Sequence, residues 1–298
     1  MKVVIVAGPT ATGKTETAIE IAKKFNGELI NADSRQVYKF LDIGTNKGKL
    51  KEFDHQYSID GIPLHLVNFL EPSDRFKLFD FQKLALDKIQ QISSANKLPI
   101  IVGGTGLYID SLVKGYLLSD SEAKDRTELD KLSVLELQNQ IEPEVLNKLN
   151  NSDQNNPRRL IRVIEKSGEL GIKSTNLGIE TFIVYPNYDW EKLKLKIDTR
   201  VEKMFDGGLI KETQDILSKG YTKDSYGLMI MGYKQVVEYI NNEIDLNTCK
   251  ERVKIAHKQY AKRQRTWFEG EGRNYNLNRY SNTEEALKLS GKFIIDEI

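Results

Sequence analysis

Gly8-Pro9-Thr10-Ala11-Thr12-Gly13-Lys14-Thr15 has the spacing G-x-x-x-x-G-K-[ST], a combination of residue types that holds phosphate. The glycines let the backbone N–H groups turn inward around an anion. Lys14 adds a point charge, and the Thr15 hydroxyl is placed to ligate Mg2+. Such a loop needs a strand before it and a helix after it, because the helix N-terminus aims its dipole at the phosphate. Both are legible: Val3 to Ala7 reads as a short buried strand and Glu16 to Phe25 as an amphipathic helix. The pattern predicts binding of a di- or triphosphate and leaves open what is done with it.

Phosphate-hydrolysing proteins of this kind carry an acid at the end of an apolar strand, to hold Mg2+ or water. Here the third predicted strand ends in Asn68 and the fourth in Gly103, and Asn46-Lys47-Gly48-Lys49 lacks the aspartate that would read guanine. A hydrolytic switch or motor is therefore disfavoured. The acid that does reach the crevice is Asp33, placed to take a proton from an acceptor as a general base. Its other reading is a cap on a predicted helix from Ser34 to Phe40.

The elements that must position these groups alternate as in a parallel α/β sheet. After the first strand come strands at Glu28 to Ala32, Leu64 to Asn68 and Pro99 to Val102, with helices at Phe79 to Ala95 and Leu107 to Val113. Ligands of such sheets bind beyond the carboxyl ends of the strands. The phosphate loop, Asp33-Ser34 and Gly103 to Thr105 therefore converge. Near residue 117 the pattern becomes helical, and a strand returns at Thr181 to Pro186. The prediction is a core of 1–117 and 181–298 with a helical insertion at 118–180. From Trp190 the chain reads as helical, with a short strand at Tyr275 to Leu277.

Composition narrows the setting. The 298 residues carry 29% charged side chains and a net charge of +1, so any basic surface must be local. The single cysteine, Cys249, rules out an intrachain disulfide and a Cys-rich zinc site, and the histidines at 55, 65 and 257 are scattered. No apolar run approaches ~18 residues. The expectation is a cytoplasmic protein that does not enter a membrane.

Two stretches are locally basic. Arg158, Arg159 and Arg162 lie at i, i+1 and i+4, so 158 and 162 share a helix face. Lys250, Lys254, Lys258 and Lys262 recur every four residues, and between 249 and 268 seven Lys or Arg stand against one acid, Glu251. Alone, such a stripe is usually a solvated face. With Tyr260, Trp267 and Phe268 nearby it also suits a nucleic-acid backbone.

Asp33-Ser34-Arg35-Gln36-Val37-Tyr38, Asp42-Ile43-Gly44-Thr45-Asn46-Lys47 and Gly103-Gly104-Thr105-Gly106-Leu107-Tyr108, taken with the phosphate loop, resemble the tRNA dimethylallyltransferase family. Further matches are Asp80-Phe81, Arg158 to Glu165, Gly232-Tyr233-Lys234-Gln235 and Lys262-Arg263-Gln264-x-x-Trp267, so the resemblance runs from about residue 3 to about 270. It implies a P-loop NTPase-like α/β fold, a parallel sheet flanked by helices, with the helical insertion contacting tRNA. It implies transfer of a dimethylallyl group from its diphosphate to the exocyclic amine of the adenosine 3′ to the anticodon.

Gly8 to Thr15 would then hold the isoprenoid diphosphate rather than ATP, with Mg2+ on Thr15, and Asp33 and Thr105 would act at the reacting centre. The target adenine must leave its stack to get there. The tRNA anticodon stem-loop would meet Asp33, Ser34, Arg35, Gln36, Thr105, Arg126, Gly232, Tyr233 and Lys234. It would also meet the arginines at 158, 159 and 162 and the lysines at 254, 258 and 262.

Departures from the family pattern are the lack of a histidine in Asn150 to Asn156, Met229-Ile230 where an arginine is frequent, and Lys234 for arginine. The insertion is short and no zinc finger follows, so the resemblance is to the bacterial type, expected to act as a monomer. Alternatives are an adenylate isopentenyltransferase on free AMP, ADP or ATP, a small-molecule kinase with ATP in the loop, and an RNA-binding module without turnover. The basic helix and insertion argue against the first, preference for dimethylallyl diphosphate over ATP would exclude the second, and intact Asp33 and Thr105 oppose the third.

Overall fold

The structure, a computed structural model, describes residues 1–54, 56–118, 128–165, 173–270 and 274–295. The chain divides into two compact units, one formed by Met1–Val113 with Asn176–Ile298 and the other by Lys114–Thr175.

The larger unit is built on an eight-stranded sheet. Its strands are β1 (Lys2–Ala7), β2 (Gly27–Asn31), β3 (Lys51–Phe53), β4 (Gln56–Ile59), β5 (Ile62–His65), β6 (Leu98–Gly103), β7 (Glu180–Pro186) and β8 (Leu277–Tyr280), in the spatial order 3-4-5-2-6-1-7-8. The pairings among β5, β2, β6, β1, β7 and β8 are all parallel, whereas β3 with β4 and β4 with β5 pair antiparallel. β1 carries the run Val3-Val4-Ile5-Val6 and β6 the run Ile100-Ile101-Val102, the continuous apolar pattern of strands covered on both faces. Helices α1 (Lys14–Lys24) and α12 (Thr283–Ile295) pack on one face, α2 (Leu78–Ser94) and α3 (Gly106–Val113) on the other. Register aligns Ala7 with Gly103 and Asn31 with Val102, so β1, β2 and β6 end at one level.

The sheet departs from the expected one at its edge. The third predicted strand stops at His65 rather than Asn68, because Leu66 and Asn68 take positive φ (60° and 54°) and turn the chain away. β3 and β4 carry no apolar run, and β3 is exposed throughout, which hid them from a periodicity reading. The predicted helix from Ser34 to Phe40 is instead a series of turns, so Asp33 caps no helix. Its Oδ1 accepts the Arg35 N–H at 3.0 Å in an Asx turn. The last strand is Leu277–Tyr280, a register further on than Tyr275 to Leu277, where it can pair with β7.

In the smaller unit, helices α4 (Val134–Gln138), α5 (Pro143–Leu146), α6 (Asn151–Gln154) and α7 (Pro157–Glu165) gather around Leu137, Ile141, Leu160, Ile161 and Val163. Ser133 and Glu136 form a capping box, and Asn150 caps α6 through the Asp153 N–H at 3.0 Å.

After β7 the larger unit adds α8 (Trp190–Asp206), α9 (Leu209–Ser218), α10 (Tyr233–Ile240) and α11 (Leu246–Glu269) around Val201, Leu209, Tyr233 and Val253. The buried face of α11, Cys249-Val253-His257-Ala261-Gln264-Phe268, recurs at helical spacing. No described helix is long and apolar enough to cross a membrane.

Candidate active site

The phosphate loop leaves β1 with Gly8 at φ 139° and enters α1 through Gly13 at φ 84°, conformations that glycine adopts without strain. Its tip is held from outside. The Thr10 N–H donates to Gln264 Oε1 at 2.9 Å, and Arg200 of α8 donates to the Thr10 hydroxyl. Lys14 folds back so that Nζ donates to the Pro9 carbonyl. Burial and then the neighbouring Arg200 lower the Lys14 pKa to about 7. Burial likewise lowers the Arg200 pKa, although a guanidinium stays charged. Neither cation has a carboxylate within ion-pair distance among the described residues. Two half-buried, unneutralised cations beside a ring of amides favour an anion strongly.

These groups line a cavity of about 410 Å3 that also takes in Asp33, Gln36, Lys47 and Gly104. Asn31, at the end of β2, sets Asp33 by accepting its N–H at 3.0 Å and donating to its carbonyl at 3.1 Å. Thr105 follows β6, its N–H on the Ala32 carbonyl at 3.1 Å and its Oγ1 accepting the Ser34 N–H at 3.0 Å. Base candidate and hydroxyl are thus fixed to one another by backbone bonds. Arg35 lies over the Tyr260 ring, Cζ 3.4 Å from its centre.

The Thr15 hydroxyl has no protein hydrogen-bond partner among the described residues and faces the cavity. No cluster of three His, Cys, Asp or Glu exists among the described residues to cage a metal. That donor set fits Mg2+, which is usually held by one or two protein oxygens together with substrate phosphates.

Motifs far apart in sequence meet here. Tyr233 donates its hydroxyl to Glu212 and accepts the Gly44 N–H at 3.0 Å, while Glu212 also takes the N–H groups of Asp42 (3.0 Å) and Ile43 (2.9 Å). A Cβ on Gly44 would run into the Tyr233 ring, so the two motifs are one contact. Lys47 is buried and bonded to Tyr38, Asp42 and Asn68. Likewise a Cβ on Gly106 would strike Trp267.

The expected RNA-contacting residues divide. Asp33 and Gln36 line the cavity, Ser34 and Thr105 are bonded to each other next to it, and Arg35 lies over Tyr260. Tyr233 is fully buried and supports the Gly44 loop, and Gly232 is buried too, so neither offers a surface for RNA; Lys234 is exposed. Lys254 bonds Glu202 at 2.7 Å and Lys258 bonds Asp198 at 2.8 Å, both acids on α8, and Lys250 joins Glu202 at 2.8 Å. The row is therefore largely an inter-helix ion-pair seam. Lys262 is exposed and has no ion-pair partner among the described residues. In the smaller unit Arg158, Arg159 and Arg162 are exposed on α7, with Arg159 paired to Asp153. Arg126 lies outside the described residues.

Sequence reading missed Arg200, which has no local signature, and the bridging role of Gln264, which the Lys-Arg-Gln-x-x-Trp match contains.

The profile of the family described as IPP transferase matches residues 36–271, and that described as isopentenyl transferase matches residues 1–59. The chain is 36% identical over 285 residues to a tRNA dimethylallyltransferase of Caldanaerobacter subterraneus, covering 90% of this chain and 89% of that one. The chain belongs to the tRNA dimethylallyltransferase family. A second relative of that name, from Anoxybacillus flavithermus, is 39% identical over 277 residues, covering 90% and 87%. The crystal structure of a tRNA isopentenylpyrophosphate transferase from Staphylococcus epidermidis superposes with TM-score 0.70 at 31% identity over 98% of both chains. A eukaryotic dimethylallyltransferase acting on tRNA superposes at 0.72 with 27% identity, over 98% of this chain and 79% of that one. The family motifs are thus the loops of one crevice: the phosphate loop, the Asp33 turn and the Gly104-Thr105 turn.

Proposed function

We infer that the protein transfers the dimethylallyl group of dimethylallyl diphosphate to the exocyclic amine of the adenosine 3′ to the anticodon of tRNA. The observation that carries this reading is a phosphate cradle with Lys14 and Arg200, neither ion-paired among the described residues, opening onto Asp33 and Gly104, with Thr105 bonded to the Ser34 N–H beside them. β5 ends in His65 and β6 in Gly103, so neither of these strand ends carries the acid of a nucleotide hydrolase. In the reaction the bond between the allylic carbon and diphosphate oxygen breaks, and its electron pair leaves with diphosphate. The adenine nitrogen forms the new C–N bond and gives up a proton to Asp33. Lys14, Arg200 and the loop amides stabilise charge growing on the leaving group. Mg2+, held through Thr15 and the diphosphate, would neutralise part of that charge.

In the larger unit Arg35, stacked on Tyr260, and Lys262 would supply cations for RNA, and in the smaller unit Arg158, Arg159 and Arg162 would do so. A tRNA substrate suits the cytoplasm. The test offers labelled dimethylallyl diphosphate and Mg2+ with bulk tRNA or with AMP. Label in tRNA at the adenosine beside the anticodon is expected. Label in AMP alone would make the protein an adenylate isopentenyltransferase, and phosphoryl transfer from ATP would make it a kinase.

A further inference from the structure

β1 and β6 are neighbours, and their last registered pair is Ala7 with Gly103. Beyond that pair the two chains part, one into the phosphate loop and the other into the Gly104-Thr105 turn. Parting strands leave backbone donors and acceptors without ladder partners, which burial makes costly. Gln264 fills that gap. Its Oε1 accepts the Thr10 N–H at 2.9 Å, and its Nε2 donates to the Gly104 carbonyl at 3.0 Å. The side-chain amide thus replaces a peptide unit between the strands and continues the ladder by one step. It is 4% exposed, and a Cβ on Gly104 would collide with its Nε2 while lying 3.0 Å from the Gly8 carbonyl. Three segments meet there, with no room for a side chain at Gly104.

This amide lies on the line between the two halves of the reaction. On one side Thr10 belongs to the loop that would hold diphosphate. On the other, Gly104 precedes Thr105, which is tied to Ala32 and Ser34 and so to Asp33. Displacement requires the leaving group, the allylic carbon and the acceptor nitrogen in line, and a misplacement of ~1 Å can cost ~10²-fold in rate. We propose that Gln264 is a positioning residue for the transfer, setting the distance between the diphosphate loop and the Thr105 turn. The proposal rests on the function assigned above. A mere filler at this place would do as well with an apolar side chain of the same length.

Gln264→Met keeps length and volume and removes both hydrogen bonds. The single-turnover rate at saturating substrates should fall ~10²-fold, with dissociation constants for donor and RNA within about threefold of wild type. Thr105→Val combined with it should lose less than the product of the two single losses, because both act through one hydroxyl. An unchanged rate in a variant with a lowered melting temperature would overturn the proposal, as would fully multiplicative losses. If the Met variant does not fold, Gln264→Glu serves. It keeps an acceptor for Thr10 but loses the donor to Gly104, so the rate should again fall, and a wild-type rate there sinks the idea.

A readout independent of transfer separates this from failure of the functional assignment. Inorganic diphosphate with Mg2+ should slow amide hydrogen exchange over residues 103–108 in the wild type and leave it unchanged in Gln264→Met. Equal protection in both would overturn the bridge even if transfer is confirmed. A wild type that prenylates neither tRNA nor AMP would defeat the functional assignment while this comparison still decides on Gln264.

Discussion

The phosphate loop and the lysine row of α11 are both cationic patterns in the sequence, and folding treats them in opposite ways. Lys14 and Arg200 are half-buried at the cavity with no carboxylate in ion-pair reach among the described residues, and burial lowers both their pKa values. Lys250, Lys254 and Lys258 lie against Glu202 and Asp198, and hydrogen bonds to Glu202 and Glu251 raise the Lys254 pKa. A cation kept without a counter-ion at a desolvation cost favours an anionic ligand. A cation that already has one is holding two helices together. Counting charges along the chain sees no difference between them.

Several measurements break or sharpen this contrast. The largest effect is expected at the acid facing the unpaired cations. Asp33→Ala should lower single-turnover prenylation of tRNA ~10²–10⁴-fold, the usual loss with a general base. A near wild-type rate would remove Asp33 from the chemistry and leave the cradle as a binding site only.

Next come the cradle cations. Arg200→Ala and Lys14→Ala should each weaken binding of dimethylallyl diphosphate by the ~1.5–3 kcal/mol of a charged hydrogen bond, while RNA affinity persists. Calorimetry showing unaltered donor binding in both variants would place the donor elsewhere.

The Lys14 pKa of about 7 gives a signed pH effect. Below that value the free protein already carries the charge the diphosphate needs. Above it Lys14 is neutral until diphosphate binds, so binding must take up a proton and affinity should fall by up to ~10-fold per pH unit. Titrations in buffers of different ionisation enthalpy would show the uptake, and its absence in Lys14→Ala would assign it.

The smallest effects belong to the paired row. Lys254→Ala and Lys258→Ala should each cost ~0–1 kcal/mol of stability, as exposed or half-exposed ion pairs do, and leave the salt dependence of tRNA binding unchanged. Lys262→Ala should instead lower the salt slope by about one unit with little loss of stability. A slope that falls equally in all three variants would mean that RNA displaces Glu202 and Asp198 from their lysines.

The sequence by itself determined the phosphate-binding loop, the parallel core strands and their order along the chain, and the convergence of the segments that hold Asp33 and Gly103 to Thr105 on that loop. These follow from short-range rules: glycine spacing, apolar runs that must be buried on both faces, and strand ends that all point one way. It also supplied the motifs by which the family is recognised. The exposed strands β3 and β4 and the turns at 34–40 escaped because their side chains obey no burial period, and Asp33 was free to bond a turn as well as a helix. Only the tertiary structure decided which cations are neutralised, that Tyr233 supports Gly44 from the core, and that Arg200 and Gln264 fasten the loop tip at Thr10. Thr10 is 190 residues from Arg200 and 254 from Gln264, and no local propensity records a contact at that separation. Such contacts arise when the packed faces of α8 and α11 bring unsatisfied donors and acceptors within reach, and burial then makes their pairing obligatory.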